Sequence, residues 1–577
     1  MSEGLLLYTD SIPSRELSWS IPTVIRSRLR GGDVPSIPEA RQLEAVGESV
    51  QKDLEWLEER LAQLTTASDA VKRERDAIRR YRDHHLGLLA PIRKLPVELL
   101  LKVFCLCCTS LDTPGLSITT DRNAAFTSVI STCTLNLAQT CSLWRSVVLH
   151  SPYLWAWICV DLTWRPIDVH ALVSLYLRRS ANWLITLHVE AFEGITHNAI
   201  NLETTSSYCQ ELGFASLGLF EILLGNAYRW VWASFDLSLD VYSELSTLID
   251  HWHGISLHNL RTLELRSEML RMPMSIAHQG LRGLHFNAFF EEFKIATSLD
   301  TLRLPRLIPS LFLSLHQIST IEVMNCHTMA EIQHTLALCP ELKTLKIGKE
   351  YGLDLYEYEN LEEISSHSLE TLTLSIRAIS GLKLLPVLNL PKLTDFAVVA
   401  TARLQSSLQS KDESTHVMAD GLVVMLRRSP SLRSLELEGN LLSETDLLRV
   451  LSLTPELEEI SISIGGDSGV VTSNLFDRLL LSPTQDLALV PHLVSFRIQI
   501  GAPVWRSISE DFSLPNFERV ISMLESRSGT LRRFALCTRM DDSYNGDQWA
   551  KDCRREGWRL HTLRLNGMEL ELDTFFT

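Results

Sequence analysis

Three groupings in the 577-residue chain could donate to a metal: the thiols of Cys105-x-Cys107-Cys108, the imidazoles of His251-x-His253 on either side of Trp252, and the pair His84-His85. A structural zinc site takes four such donors, usually as two closely spaced pairs. No second cysteine pair follows at zinc-finger spacing, and the apolar run from 98 to 108 reads as a helix that buries its thiols. The histidine pairs lack a carboxylate or cysteine partner at a recognisable spacing and read as polar surface. Asp541-Asp542-Ser543-Tyr544-Asn545-Gly546-Asp547 opens like a calcium loop, yet it lacks the spaced ligands and closing glutamate, so it reads as an acidic turn. Neither G-x-x-x-x-G-K-S/T nor G-x-S-x-G occurs, and with them go the usual backbone cradles of nucleotide and acyl-transfer chemistry. The expectation is a non-enzyme with no metal and no cofactor.

Composition limits what else the chain can be. With 45% hydrophobic and 21% charged residues it can build several globular units, at roughly 100–200 residues each. Its net charge is −16, and because residues 1–95 hold 15 basic and 15 acidic side chains, all of that excess lies beyond them. A polyanion is repelled by such a surface, which points to protein partners and away from nucleic acid. Eleven cysteines, several of them inside apolar runs, suit a reducing compartment. No apolar stretch reads as a signal sequence or a membrane span, so the expected location is cytoplasmic, nuclear or both.

Residues 1–35 mix Pro, Ser, Gly and Arg without periodicity and read as a disordered leader. Ser36, Pro38 and Glu39 then form the start signals of a helix. A long amphipathic helix is expected over 36–87, with Leu43, Val50, Leu57, Leu64, Val71 and Ile78 at strict seven-residue steps. That row suggests a coiled coil. Asp53, Arg60 and Glu74, three residues after heptad positions, interrupt a second row and favour a helix lying on its own chain, so both readings stand.

The next segment holds three apolar blocks in order: Leu95-Pro96-x-Glu98-Leu99-Leu100-x-x-x-Phe104, then Leu137-x-x-x-Cys141-x-x-Trp144-Arg145, then Ser151-Pro152-x-Leu154-Trp155. Together they resemble the F-box, and with the preceding helix they are similar to the large F-box families of mushroom-forming fungi. The resemblance covers 88–160, with a Thr/Ser-rich insertion at 109–134 that is expected to be a mobile loop. It implies a Skp-type adaptor as partner, and through it a cullin. The adaptor-binding residues it implies are Leu95, Pro96, Leu99, Leu100, Val103, Phe104, Cys141, Trp144, Leu154 and Trp155. Trp144 and Trp155 lean toward core, and Leu95 and Pro96 toward the interface.

From 161 to 577 an L-x-x-L-x-L pattern recurs eleven times, from Leu260/Leu263/Leu265 through Leu342/Leu345/Ile347 and Leu432/Leu435/Leu437 to Leu560/Leu563/Leu565. Weaker copies stand at Leu184/Leu187/Val189, Trp232/Phe235/Leu237 and Leu281/Leu284/Phe286. Most spacings fit leucine-rich repeats of about 20–29 residues. The expected fold is thus α followed by α/β: a long helix and a helical F-box, then a leucine-rich-repeat-like solenoid. Such a chain would recruit an unidentified protein target to an SCF-type ubiquitin ligase. The rival reading is a scaffold that binds the adaptor outside any cullin complex. On the strand face, Glu264, Glu322, Glu436 and Glu438 mix with Arg261, Arg303, Lys346, Arg497 and Arg564 as a candidate target surface.

Overall fold

A computed structural model describes residues 23–31, 34–110, 113–121, 127–162, 169–191, 214–237, 241–242, 244–245, 256–266, 292–307, 316–326, 328–353, 363–400, 413–464, 470–481, 489–500, 515–540, 551–552 and 554–576. The chain divides into two compact units, Met1–Pro96 and Val97–Thr577.

In the first unit, α1 (Thr23–Gly31) precedes α2 (Ile37–Leu88). The leader expected to be disordered therefore contains one helix. Residues 23–30 hold neither Gly nor Pro, and the glycine pair at 31–32 marks where the helix stops. The start of α2 is the capping signal expected from sequence: the Glu39 carboxylate accepts from the Ser36 N–H at 2.9 Å and the Ser36 hydroxyl at 2.8 Å. Those bonds, with the Arg28 guanidinium at 3.2 Å, hold Glu39 down to about 2. At 1.5 Å per residue, 52 residues make a rod of about 78 Å. None of its residues is buried, so its row of apolar side chains faces solvent.

The second unit opens with α3 (Val97–Cys108), α4 (Cys133–Thr140) and α5 (Ser142–Leu149), followed by a 3₁₀ turn at Pro152–Trp155. Between α3 and α4 the structure corrects the expected loop: β1 (Leu116–Asp121) and β2 (Thr127–Ser131) pair antiparallel, and β1 pairs parallel with β3 (Trp157–Asp161). Leu116 and Ile118 alternate with Ser117 and Thr119 at the period of a strand, and both apolar side chains are fully buried. The sheet begins inside the segment assigned to the F-box.

Gly115 shows how tightly that entry is packed. A Cβ there would stand 2.6 Å from the Leu154 carbonyl and 2.7 Å from Thr134 Oγ1, while the Gly115 carbonyl takes the Tyr176 hydroxyl at 3.0 Å. Gly115→Ala is expected to destabilise by about 1–3 kcal/mol, read as a lower denaturation midpoint, because rigid backbone must move. An unchanged midpoint would show the contact to be slack.

The sheet continues through β4 (Ile185–Ala191), β5 (Trp230–Leu237), β6 (Thr262–Arg266), β7 (Thr301–Arg306), β8 (Thr320–Cys326) and β9 (Thr344–Leu353). A two-stranded side sheet of β10 (Ile364–Ser365) and β12 (Leu388–Asn389) flanks β11 (Thr371–Ile376) and β13 (Asp395–Ala400). The main sheet ends in β14 (Ser434–Glu438), β15 (Glu459–Ile464), β16 (Ser495–Ile500), β17 (Arg533–Met540) and β18 (Glu569–Phe576). Among the described residues the main sheet has sixteen strands: β2 forms the edge beside β1, β1 lies next to β3, and from β3 onward the strands follow chain order with every pair parallel. Parallel neighbours need a crossover, and helices supply many of them. They are α6 (His170–Arg179), α7 (Phe214–Leu224), α8 (Met329–Leu338), α9 (Ile379–Leu382), α10 (Glu413–Arg427), α11 (Glu444–Ser452), α12 (Ser473–Arg478), α13 (Phe517–Ser526) and α14 (Gly557–Leu565).

Alternation along each strand decides its faces: in β15 and β16 the isoleucines and Phe496 are buried while Ser461, Ser463, Arg497 and Gln499 turn outward. One apolar core runs from Leu100 to Met568. Of the eleven full triads, ten deliver strands and one does not. Leu560, Leu563 and Leu565 lie in α14, because the L-x-x-L step also fits one face of a helix. Gly567, at φ +89°, ends that helix: its N–H bonds to the Arg564 carbonyl and that of Met568 to Leu563, after which β18 starts. The weak copy at Leu281/Leu284/Phe286 lies outside the described residues. No helix among those described is long and apolar enough to cross a membrane.

Candidate functional site

Helix α3 carries two apolar faces with different fates. Leu100, Phe104 and Cys108 point into the core, Phe104 only 1% exposed. Leu99 (51%), Val103 (38%) and Leu106 (76%), spaced i, i+4 and i+7, share the outward side, and Val97 is exposed as well. Water bears on side chains that would each contribute about 1.5–3 kcal/mol if covered.

The core behind this face is built from the other two blocks. Trp144 on α5 is half-buried and meets Phe104 edge-on at 4.8 Å, while its backbone N–H donates to Cys141 Sγ at 3.5 Å, making Cys141 the cap of α5. Leu154 and Trp155 are buried; Trp155 Nε1 donates to the Val148 carbonyl at 3.0 Å and its ring meets Tyr176 at 4.9 Å. The Leu154 carbonyl takes the Thr134 hydroxyl at 2.8 Å.

Of the ten residues the resemblance assigned to an adaptor, Leu100, Phe104, Leu154 and Trp155 are therefore core, out of any partner's reach. Packing three short helices on a sheet consumes their largest side chains. Cys141 and Trp144 are half-buried, and Leu99 and Val103 stand free. Leu95, half-buried, and Pro96, exposed, end the first unit. Sequence reading missed the exposure of Val97, Leu106 and, on α5, Leu143. The signal lay in apolar positions beyond the single stripe a core-facing helix needs.

The thiols of α3 are not all buried as expected. Cys107 is exposed, whereas Cys108 is buried with its Sγ 3.3 Å from Cys133 Sγ, and burial pushes its thiol up. His84 and His85 sit exposed on α2, His85 Nδ1 against the Tyr81 carbonyl at 2.9 Å. His251, His253 and the acidic run 541–547 lie outside the described residues.

On the outward face of the sheet, equivalent positions fall into rows. Thr262, Thr301, Thr320, Thr344 and Thr371 are successive register partners, a threonine row visible in the recurring T-L-x-L but not read from it. Beside it runs Glu264, Arg303, Glu322 and Lys346, of which Glu264, expected at the target surface, is buried beneath Arg266 and Arg303. Arg303 Nε lies 2.9 Å from Glu322, Lys346 Nζ is also 2.9 Å from Glu322, and Arg266 Nε donates to Glu264 at 2.6 Å. Here the charges answer one another. Arg564 belongs to α14 rather than to the row.

Further along, Glu436 and Glu438 share β14, and burial with the Glu436 charge raises the Glu438 carboxyl. A raised carboxylate is penalised in the folded state above its folded value, and the penalty disappears below the unfolded value near 4.5. Because solvent screens a half-exposed group, Glu438→Gln is expected to stabilise by no more than about 0.5 kcal/mol at neutral pH. The gain should vanish near pH 4 in matched denaturation curves.

No family model matches the chain, and no curated protein matches it. Among solved structures, a Bacteroides fragilis protein from the Northeast Structural Genomics Consortium is 12% identical with a TM-score of 0.30, over 64% of this chain and 86% of that one. A chain of the TLR13–ssRNA13 complex is 12% identical with a TM-score of 0.25, over 57% of this chain and 46% of that one. Both likenesses are too slight to assign a family or a function.

Proposed function

We propose that this chain is the target-recruiting, F-box-like subunit of an SCF-type ubiquitin ligase, joining a Skp-type adaptor, and through it a cullin, to a protein target. The observation that carries the reading is the outward face of α3. A helix introduced by Leu-Pro-x-Glu commits Leu100 and Phe104 to the core and leaves Val97, Leu99, Val103 and Leu106 in water. Exposed apolar side chains gathered on one helix face are the usual signature of a docking surface. The adaptor surface we assign is confined to the second unit. The strands that follow are read as a leucine-rich-repeat-like solenoid, whose outward rows of threonine and paired charge hold the target. Catalysis then requires only proximity to the charged ubiquitin carrier, so no active site is needed here.

The rival reading, a scaffold that holds the adaptor outside a ligase, shares the same helix face. Affinity capture of the full chain from cells separates them: a cullin recovered with the adaptor supports the ligase, and adaptor without cullin supports the scaffold. Capture of neither rejects both.

A further inference from the structure

Away from the helices, the outward face of the first strands gathers a thiol, an imidazole and a carboxylate. Cys159 on β3 and His188 on β4 are register partners, and Glu190 follows two residues along β4 on the same face. One donor atom from each lies within 4.8 Å of the other two, and a His188 ring nitrogen, Nε2, stands 2.8 Å from Glu190 Oε1. Asp161, the register partner of Glu190, is 2% exposed. Ser234, the register partner of His188 on β5, is fully buried, and neither its hydroxyl nor His188 Nδ1 has a hydrogen-bond partner. The Trp232 ring stacks on His188 with centroids 6.4 Å apart.

Two buried polar atoms without partners beside a Cys-His-Glu cluster require an explanation, since such groups are normally satisfied. A nucleophilic cysteine is the wrong one. Burial and the Glu190 and Asp161 charges push the Cys159 thiol up, which keeps it protonated and unreactive. The same carboxylates attract a cation. Calcium and magnesium take oxygen donors, whereas thiolate with imidazole and carboxylate suits zinc and its neighbours.

We propose that Cys159, His188 and Glu190 bind one divalent ion of the zinc class, tying β3 to β4 where the parallel sheet begins. The Cys159 thiol gives its proton to solvent as the sulfur–metal bond forms, and the ring proton that His188 Nε2 holds toward Glu190 moves to Nδ1, which frees Nε2 and the carboxylate for the metal; no electron changes hands. Three protein donors leave a fourth position. The His188 and Glu190 side chains keep 17% and 23% exposure, so that position opens outward to water or to a donor from a bound protein.

The test is titration of the full-length, chelator-stripped, reduced protein with cobalt(II) and then zinc(II). One equivalent of cobalt should bind with a thiolate-to-cobalt charge-transfer band, zinc should displace it, and zinc should raise the melting temperature. Cys159→Ser should lose the band, and Glu190→Gln should bind at least tenfold more weakly while keeping the wild-type circular dichroism. Failure of the wild-type protein to take up one equivalent overturns the proposal whatever the variants do. So does a full band in Cys159→Ser, which would put the metal on other thiols.

Discussion

Replacing Leu99 and Val103 together by aspartate is expected to weaken capture of a Skp-type adaptor at least 100-fold while leaving circular dichroism and thermal unfolding unchanged. Both side chains are exposed in the free chain, so the substitution removes nothing from the core. In the complex each would surrender about 1.5–3 kcal/mol of apolar burial and leave an unpaired charge under the partner. Phe104, on the opposite side of the helix, should behave in the reverse way. Buried against Trp144, it should cost about 3–5 kcal/mol of stability as Phe104→Ala, with adaptor binding lost only through unfolding. If the aspartate pair unfolds the protein, or if it binds adaptor normally, the division of α3 into a core face and a docking face is wrong.

The second large effect is expected at Arg527. This guanidinium is fully buried at the end of α13, donating through Nε to the Leu479 carbonyl at 2.7 Å, through Nη1 to Val490 at 2.8 Å and through Nη2 to Leu489 at 2.6 Å. Burial holds its pKa down to about 10. One planar fork thus closes the carbonyl of Leu479 at the end of α12 and those of Leu489 and Val490 ahead of β16. Arg527→Met keeps most of the volume but leaves the Leu479 and Leu489 carbonyls without their donor, Val490 keeping the Leu493 N–H at 3.3 Å, and should cost about 3–5 kcal/mol. Arg527→Lys should fall between, because an ammonium on a flexible stem cannot span the three positions. In a sheet assembled strand by strand the loss should be local, seen as lost hydrogen-exchange protection in β16 and β17 with β4 to β8 intact. Undiminished protection there in the methionine variant would show that the carbonyls find other partners.

Why some of this was legible in the sequence and some was not comes down to spacing. Strands β6 to β9, β11 and β13 to β17 stand on L-x-L alternation, a period-two signal that no helix satisfies over its whole length. The triad at Leu560 has the same spacing as the ten that form strands, and what marks it as helical is the stop at Gly567. The insertion at 109–134 looked loop-like from its Thr and Ser content, yet β-branched residues alternating around Leu116 and Ile118 suit a strand near a sheet edge. For the proposed adaptor surface, the helix was legible in the sequence, but not which of Leu99, Leu100, Val103 and Phe104 would be covered. That depends on where α5 and the 3₁₀ turn come to rest. The cluster of Cys159, His188 and Glu190 was invisible for a related reason: 29 residues separate the thiol from the imidazole, and only strand register brings them opposite each other.

Size-exclusion chromatography with light scattering of purified full-length chain mixed with a purified Skp-type adaptor decides whether the outward face of α3 is an adaptor interface. A stable one-to-one complex should form at micromolar concentration, and the Leu99→Asp, Val103→Asp pair should fail to form it. Separate elution of the two wild-type proteins under those conditions would contradict it.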